Sequence, residues 1–325
     1  MTEQPITLAS IDGFHVGGER VRLAHLPVTE MAMVAGAPAR KVDMNGDHMV
    51  GQLYVQRFLQ AKPSSPYPIV LLHGGGLTGA CWETTPDGRR GWLDFFLRAG
   101  YDVYVCDAFE RGRASWPPYP EVLPGKPEHR PLDAVWHHFR FGPAGTYPGA
   151  EHIGQAYPGQ QFPVEHLADF GKQFVARWAG TEQRAMQAYR ALMATLGKCW
   201  LVGHSQGASY ALQLARECAA QVPGVVAIEP AATPSHSDQA EPGVLPAHLA
   251  VWGDFIRDEN AFWIPCLKRC REYYDAIRSS GSHVRFDELP QLNITGNSHM
   301  MMMDANNLLI ADHIHQWLSS IALDG

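Results

Sequence analysis

The chain has 325 residues, of which 46% are hydrophobic and 18% charged, with a formal net charge of −7. This length suits one large α/β domain with insertions, or two smaller domains. The acidic balance and the lack of a dense Lys/Arg run exclude nucleic acid and anionic membrane surfaces as expected partners, and no run reaches the ~20 apolar residues of a membrane span.

The N-terminus, MTEQPITLAS, has neither a basic n-region nor an apolar core. A cytoplasmic location is therefore expected, with a periplasmic or secreted mature form as the alternative. Residues 10 to 60 alternate polar and apolar, which predicts antiparallel strands, with turns at Gly17-Gly18 and Asn45-Gly46. Short apolar runs follow: IVLLHG (69–74), YDVYVCD (101–107), CWLVGHS (199–205), VVAIEP (225–230), LAVWGD (249–254) and VRFDELP (284–290). Several are separated by helical patterns, and NNLLIADHIHQWLSSIA (306–322) is an amphipathic terminal helix. The expected fold is α/β, with a mostly parallel central sheet, helices on both faces and antiparallel strands at the N-terminus.

Residues 115 to 180 break this rhythm with ten prolines and many aromatics. Such a composition predicts ordered irregular backbone rather than a flexible linker. The chain is expected to be a single domain, 1–325, with 115–185 inserted as an aromatic, Pro-rich cap. The alternative is a structural arm for contact in a homodimer.

The six cysteines are scattered without a CxxC pair, and the 16 histidines show no HExxH spacing. No metal or organic cofactor is expected. GHSQG (203–207) follows an apolar strand and opens a helical run, the setting of a nucleophile elbow, with Ser205 as nucleophile. The N–H of Gln206 at the helix start points to where an oxyanion would form. HGGGLTG (73–79) fits both a dinucleotide fingerprint and an oxyanion loop. Pro86-Asp87-Gly88 breaks the helix that a dinucleotide site needs, so the oxyanion loop is favoured, with Gly75 as first donor and Gly76 as second. GNSHMMMMD (296–304), before the terminal helix, offers His299 as base. His204 diverges from Ser205 inside the elbow, and His283 and His315 lie before the last strand and within the terminal helix. For the acid, Glu229 ends an apolar strand with poor access to water, and Asp254 or Asp258 follows the next strand. The pocket wall is expected from Leu77, Trp82, Trp136, Phe139, Phe141 and Met300.

With these residues the sequence resembles the α/β-hydrolase superfamily over roughly 50 to 322. That superfamily keeps its histidine after the last strand and most often places its acid where Asp254 lies. DAFERGRAS (107–115) is similar to a turn of the same family, with Arg113 in place of a glycine. LTGACWETTPDGRRGW, HFRFGP, QFPV and GNSHMMMMDANN resemble a small group of bacterial esterases whose triad is Ser-Glu-His. By position this implies Ser205, Glu229 and His299, with oxyanion donors Gly75 and Gln206. The expected activity is hydrolysis of a moderately sized apolar or aromatic carboxylic ester through an acyl-enzyme. Alternatives are a lactonase or amidase with the same triad, or a non-catalytic ligand-binding protein; a nicotinamide oxidoreductase is a weaker one.

Overall fold

The computed structural model describes residues 5–148, 155–234, 245–256 and 261–324. The first part of the chain forms β1 (Leu8–Leu23), the short β2 (Thr29–Met31) and β3 (Arg40–Val42), and β4 (Gly46–Gln60). There follow β5 (Ile69–Leu72), α1 (Trp92–Arg98), β6 (Val103–Asp107), α2 (Leu132–His138), α3 (Leu167–Gly171) and α4 (Glu182–Thr195). Next come β7 (Trp200–His204), α5 (Gln206–Glu217), β8 (Gly224–Ile228) and β9 (Ala247–Trp252). The chain ends with α6 (Trp263–Ser279), β10 (Val284–Glu288) and α7 (Asn307–Asp324).

Eight strands form one sheet in the order β1-β4-β6-β5-β7-β8-β9-β10. The pairs β1–β4 and β4–β6 are antiparallel, and every pair from β6 to β10 is parallel. All residues of β5 to β9 are buried, which is why their sequences read as unbroken apolar runs rather than alternations. Helices α4, α5 and α6 cover one face; α1 and α7 cover the other.

Gly17 and Gly18 do not make a turn. They lie inside β1 at φ 73° and 87°, and a Cβ on Gly17 would stand 2.8 Å from the Ala188 Cα of α4. These glycines admit a helix close to the strand, a need that local sequence does not distinguish from a turn.

Between β6 and α4 the backbone is mostly irregular. Trp136, Phe139, Phe141, Phe162 and Phe170 from this stretch are buried in the same layer as α1 and α7. Phe141 and Phe162 stack with ring centroids 3.9 Å apart. Within the stretch, Glu128 and Arg177 pair in an antiparallel bridge. Among the described residues, no helix is long and apolar enough to cross a membrane.

Candidate active site

β7 runs to His204, Ser205 follows at φ 54° and ψ −115°, and α5 starts at Gln206. The turn is so tight that a Cβ on Gly203 would stand 2.7 Å from the Ala208 Cα, and one on Gly207 would overlap the Leu72 carbonyl. Only glycine fits these positions. The Ser205 N–H donates to Ile228 O at 2.9 Å, and Ser205 O accepts from Ala231 N–H at 3.3 Å, so the elbow is pinned to the end of β8. Ser205 Oγ makes no hydrogen bond among the described residues.

The 73–79 loop lies beside the elbow and opens no α-helix; a short 3-10 turn, Gly79–Trp82, follows it. His73 Nε2 accepts from Ala108 N–H at 3.0 Å, so its Nδ1 carries the proton and donates to Gly74 O at 2.8 Å. Burial holds the His73 imidazole down to about 4, in keeping with this neutral tautomer. Gly79 N–H donates to Asp107 Oδ1 at 2.7 Å, and Arg113 N–H donates to Asp107 Oδ2 at 2.9 Å. Arg113 thus ties the turn after β6 to the glycine loop. A Cβ on Gly75 would overlap Arg177 Nη1 and stand 3.2 Å from Gln206 Oε1. Gly75 and Gln206 are therefore neighbours, and the amide of Gln206, first in its helix, precedes the helix's own hydrogen bonds. Gly76 sits at φ 77°, and its carbonyl accepts from Val175 N–H at 3.0 Å.

Glu229 and His299 are both buried and face each other, with His299 Nδ1–H donating to Glu229 Oε2 at 2.5 Å. Glu229 Oε1 accepts from Gly253 N–H at 2.8 Å and from Arg140 Nη2. Three donors, Gly253 N–H, Arg140 Nη2 and His299 Nδ1–H, thus converge on one buried carboxylate. Burial and the Arg140 cation hold the His299 imidazole well below the ordinary histidine range. His299 is fixed along its backbone as well: its N–H donates to Phe139 O at 3.0 Å, and its carbonyl accepts from His204 Nε2 at 2.9 Å. Asp304 closes the loop by accepting from Ser298 N–H at 2.9 Å and Ser298 Oγ at 2.7 Å, although burial pushes its carboxyl up to about 7.

Asp254 does not reach His299. Its Oδ1 accepts from Phe255 N–H at 2.6 Å and its Oδ2 from Gly296 N–H at 3.0 Å, so both oxygens are spent on loop backbone. Asp258 lies outside the described residues. Arg140, Ser205 and Glu229 hold positive φ angles of 62°, 54° and 44°. Such backbone costs about 1–3 kcal/mol per non-glycine residue and tends to gather where geometry serves function.

Ser205 opens onto a cavity of about 490 Å³, lined also by Gln206, Glu128, Arg130, Ala134, His138, Arg177, Ala231, Phe262 and Trp263. Leu77 and Phe139 border a narrow recess next to it with Gly75 and Gly76. Trp82, Trp136, Phe141 and Met300 were expected in the pocket wall and are not there. All four are fully buried in the core layer around α1 and α7, and Trp136 and Phe141 hold the irregular 115–185 backbone down onto it. The aromatic wall comes instead from the start of α6. Trp263 packs its ring 4.1 Å from the His299 ring, and its Nε1–H donates to His138 O at 2.6 Å. The Arg140 partner of Glu229 lies in the HFRFGP stretch, but Trp263, Arg130 and Arg177 carry no sequence motif; only the fold brings them here.

No family model matches the chain. Among solved structures, one described as a novel bacterial esterase is 34% identical, superposes with a TM-score of 0.83 and shares 98% coverage of both chains. A probable secreted lipase, phiG, from a fungus (Fungal sp. strain ATCC 74256) is 29% identical over 321 residues, spanning 82% of this chain and 85% of that protein. With the eight-stranded sheet and its tight strand-turn-helix elbow, this similarity shows that the chain belongs to the α/β-hydrolase superfamily and is one of its carboxylic ester hydrolases.

Proposed function

We propose that the chain is a serine esterase in which Ser205 is the nucleophile, His299 the base, Glu229 the orienting acid, and the N–H groups of Gly75 and Gln206 the oxyanion donors. The observation that supports this most is the buried His299–Glu229 hydrogen bond, held beside an elbow whose serine opens onto a cavity. With Nδ1–H committed to Glu229, the lone pair on His299 Nε2 is available for a proton. His299 takes the Ser205 proton as Oγ attacks the ester carbonyl. The carbonyl oxygen, now an oxyanion, rests on the Gly75 and Gln206 amides. His299 passes its proton to the departing alkoxide as the carbon–oxygen bond breaks, leaving an acyl-Ser205. Water, deprotonated by His299, then releases the acid. The serine–histidine contact is often loose before substrate binds and tightens in the complex.

Phe262, Trp263, Ala134 and Ala231 give the cavity an apolar side that suits a moderately sized apolar or aromatic part of the ester. The 115–185 segment acts as a cap, supplying Glu128, Arg130, His138 and Arg177 to the cavity. An exported form is favoured over a cytoplasmic one by the name of the fungal relative; cell fractionation tests it. Exposed Met31, Met33, Val34 and Met49 support pairing with a second copy, and sedimentation of a monomer alone would end that reading. The serine mechanism is tested by Ser205→Ala. Turnover of a p-nitrophenyl ester should fall by several orders of magnitude with the fold kept. Retention of a tenth of wild-type activity would rule the mechanism out.

A further inference from the structure

Among the described residues, the charges around the cavity do not balance: the lining holds two guanidinium groups, Arg130 and Arg177, against one carboxylate, Glu128. His138 adds no charge, because burial and the nearby Arg130 hold its imidazole down to about 3. Arg140 is already committed to Glu229 and to Asp254 O. Arg177 Nε–H donates to Glu128 Oε2 at 2.8 Å, while Arg130 Nε–H reaches Glu128 Oε1 only at 3.4 Å. Glu128 is also the wettest of the three, 52% exposed against 17% for Arg130 and 30% for Arg177. Its charge is screened while the guanidinium groups are sheltered. Burial and the Arg177 cation push the Arg130 guanidinium below its ordinary range, against the opposing pull of Glu128.

The two arginines are also held in place. Glu128 N–H donates to Arg177 O at 2.8 Å and Arg177 N–H to Glu128 O at 2.9 Å, and Val175 N–H donates to Gly76 O at 3.0 Å. This short ladder sets Arg177 Nη1 against Gly75, next to the proposed oxyanion site. Arg130 lies over the Phe139 ring at 5.5 Å. Fixed guanidinium forks of this kind match a carboxylate in geometry as well as in charge.

Resting on the serine-esterase reading above, we propose that the preferred substrate is an ester carrying a second, free carboxylate, which Arg130 and Arg177 hold beside the scissile bond. A neutral ester leaves the surplus cation facing the cavity; a half-ester of a diacid, or an ester of a hydroxy acid, neutralises it.

The test compares kcat/KM for two matched pairs. The acyl-side pair is p-nitrophenyl hydrogen glutarate against p-nitrophenyl pentanoate, and the alcohol-side pair is butanoyl-glycolate against propyl butanoate. The wild-type protein should prefer the anionic member of at least one pair by about tenfold or more. The preference should shrink when NaCl rises from about 0.02 to about 0.5 M. Arg130→Gln or Arg177→Gln should reduce the same ratio by about tenfold. Equal or better use of the neutral ester in both pairs overturns the proposal, with the esterase reading left standing. A ratio unmoved in both variants also overturns it, since an arginine that merely supports the oxyanion loop slows all four esters alike. If the variants fail to fold, the wild-type ratio and its salt dependence decide. Hydrolysis of none of the four overturns both readings.

Discussion

Glu229 and Asp254 stand at the ends of adjacent strands, yet only one of them bonds His299. Glu229→Gln should therefore lower kcat by on the order of 10⁴-fold, through loss of the correct imidazole tautomer. It also leaves the Arg140 guanidinium, whose side chain is 0% exposed, without a counter-charge. Calorimetry should record a loss of about 3–5 kcal/mol. Asp254→Asn keeps a side chain near the Gly296 backbone and should stay within about tenfold of wild type in kcat. The reverse ranking would hand the acid role to Asp254. The base must be neutral, and burial and Arg140 lower the His299 pKa. Its ring thus stays neutral into more acidic solution than an ordinary histidine. The acid limb of kcat/KM should lie below about 6.5, not in the ordinary histidine range, and Arg140→Gln should move it upward. A wild-type limb at or above 7 would contradict the burial argument.

The elements differ in how much of them was legible. Strands β5 to β9 are buried on both faces, so continuous apolar runs marked them, and the elbow and glycine loop at their ends followed from fixed spacing. Glu229 was legible in part, as a carboxylate at the end of an apolar strand. The pocket wall was not. Composition showed that the aromatics of 115–185 must be buried, but not whether core or ligand buries them, because both ask for the same side chains. The charged lining comes from Arg130 and Arg177, far apart in sequence; the bridge between Glu128 and Arg177 brings their segments together. No local periodicity reports such a contact. Trp136→Ala and Phe141→Ala should consequently cost about 3–5 kcal/mol of stability each, as core truncations do, with the ranking of ester substrates unchanged. Trp263→Ala, at the start of α6, should change that ranking, because its ring borders both the cavity and His299. A chain-length series of p-nitrophenyl esters on the three variants checks this. A changed ranking in the first two would return those aromatics to the pocket.

At the scale of the whole molecule, the sheet brings together residues from distant parts of the chain. β5 and β7 pair in parallel, so the glycine loop and the elbow emerge side by side. β8 pairs with β7 and β9, so Glu229 emerges one strand over. The loop after β10 brings His299 back to meet it. On the proposed mechanism, this convergence makes Ser205 a nucleophile. A fluorophosphonate probe with peptide mapping by mass spectrometry tests it most directly. One equivalent of label is expected on Ser205, blocked in Ser205→Ala and slowed in His299→Gln. An enzyme that hydrolyses esters while Ser205 stays unlabelled, or that takes the label on another residue, would contradict it.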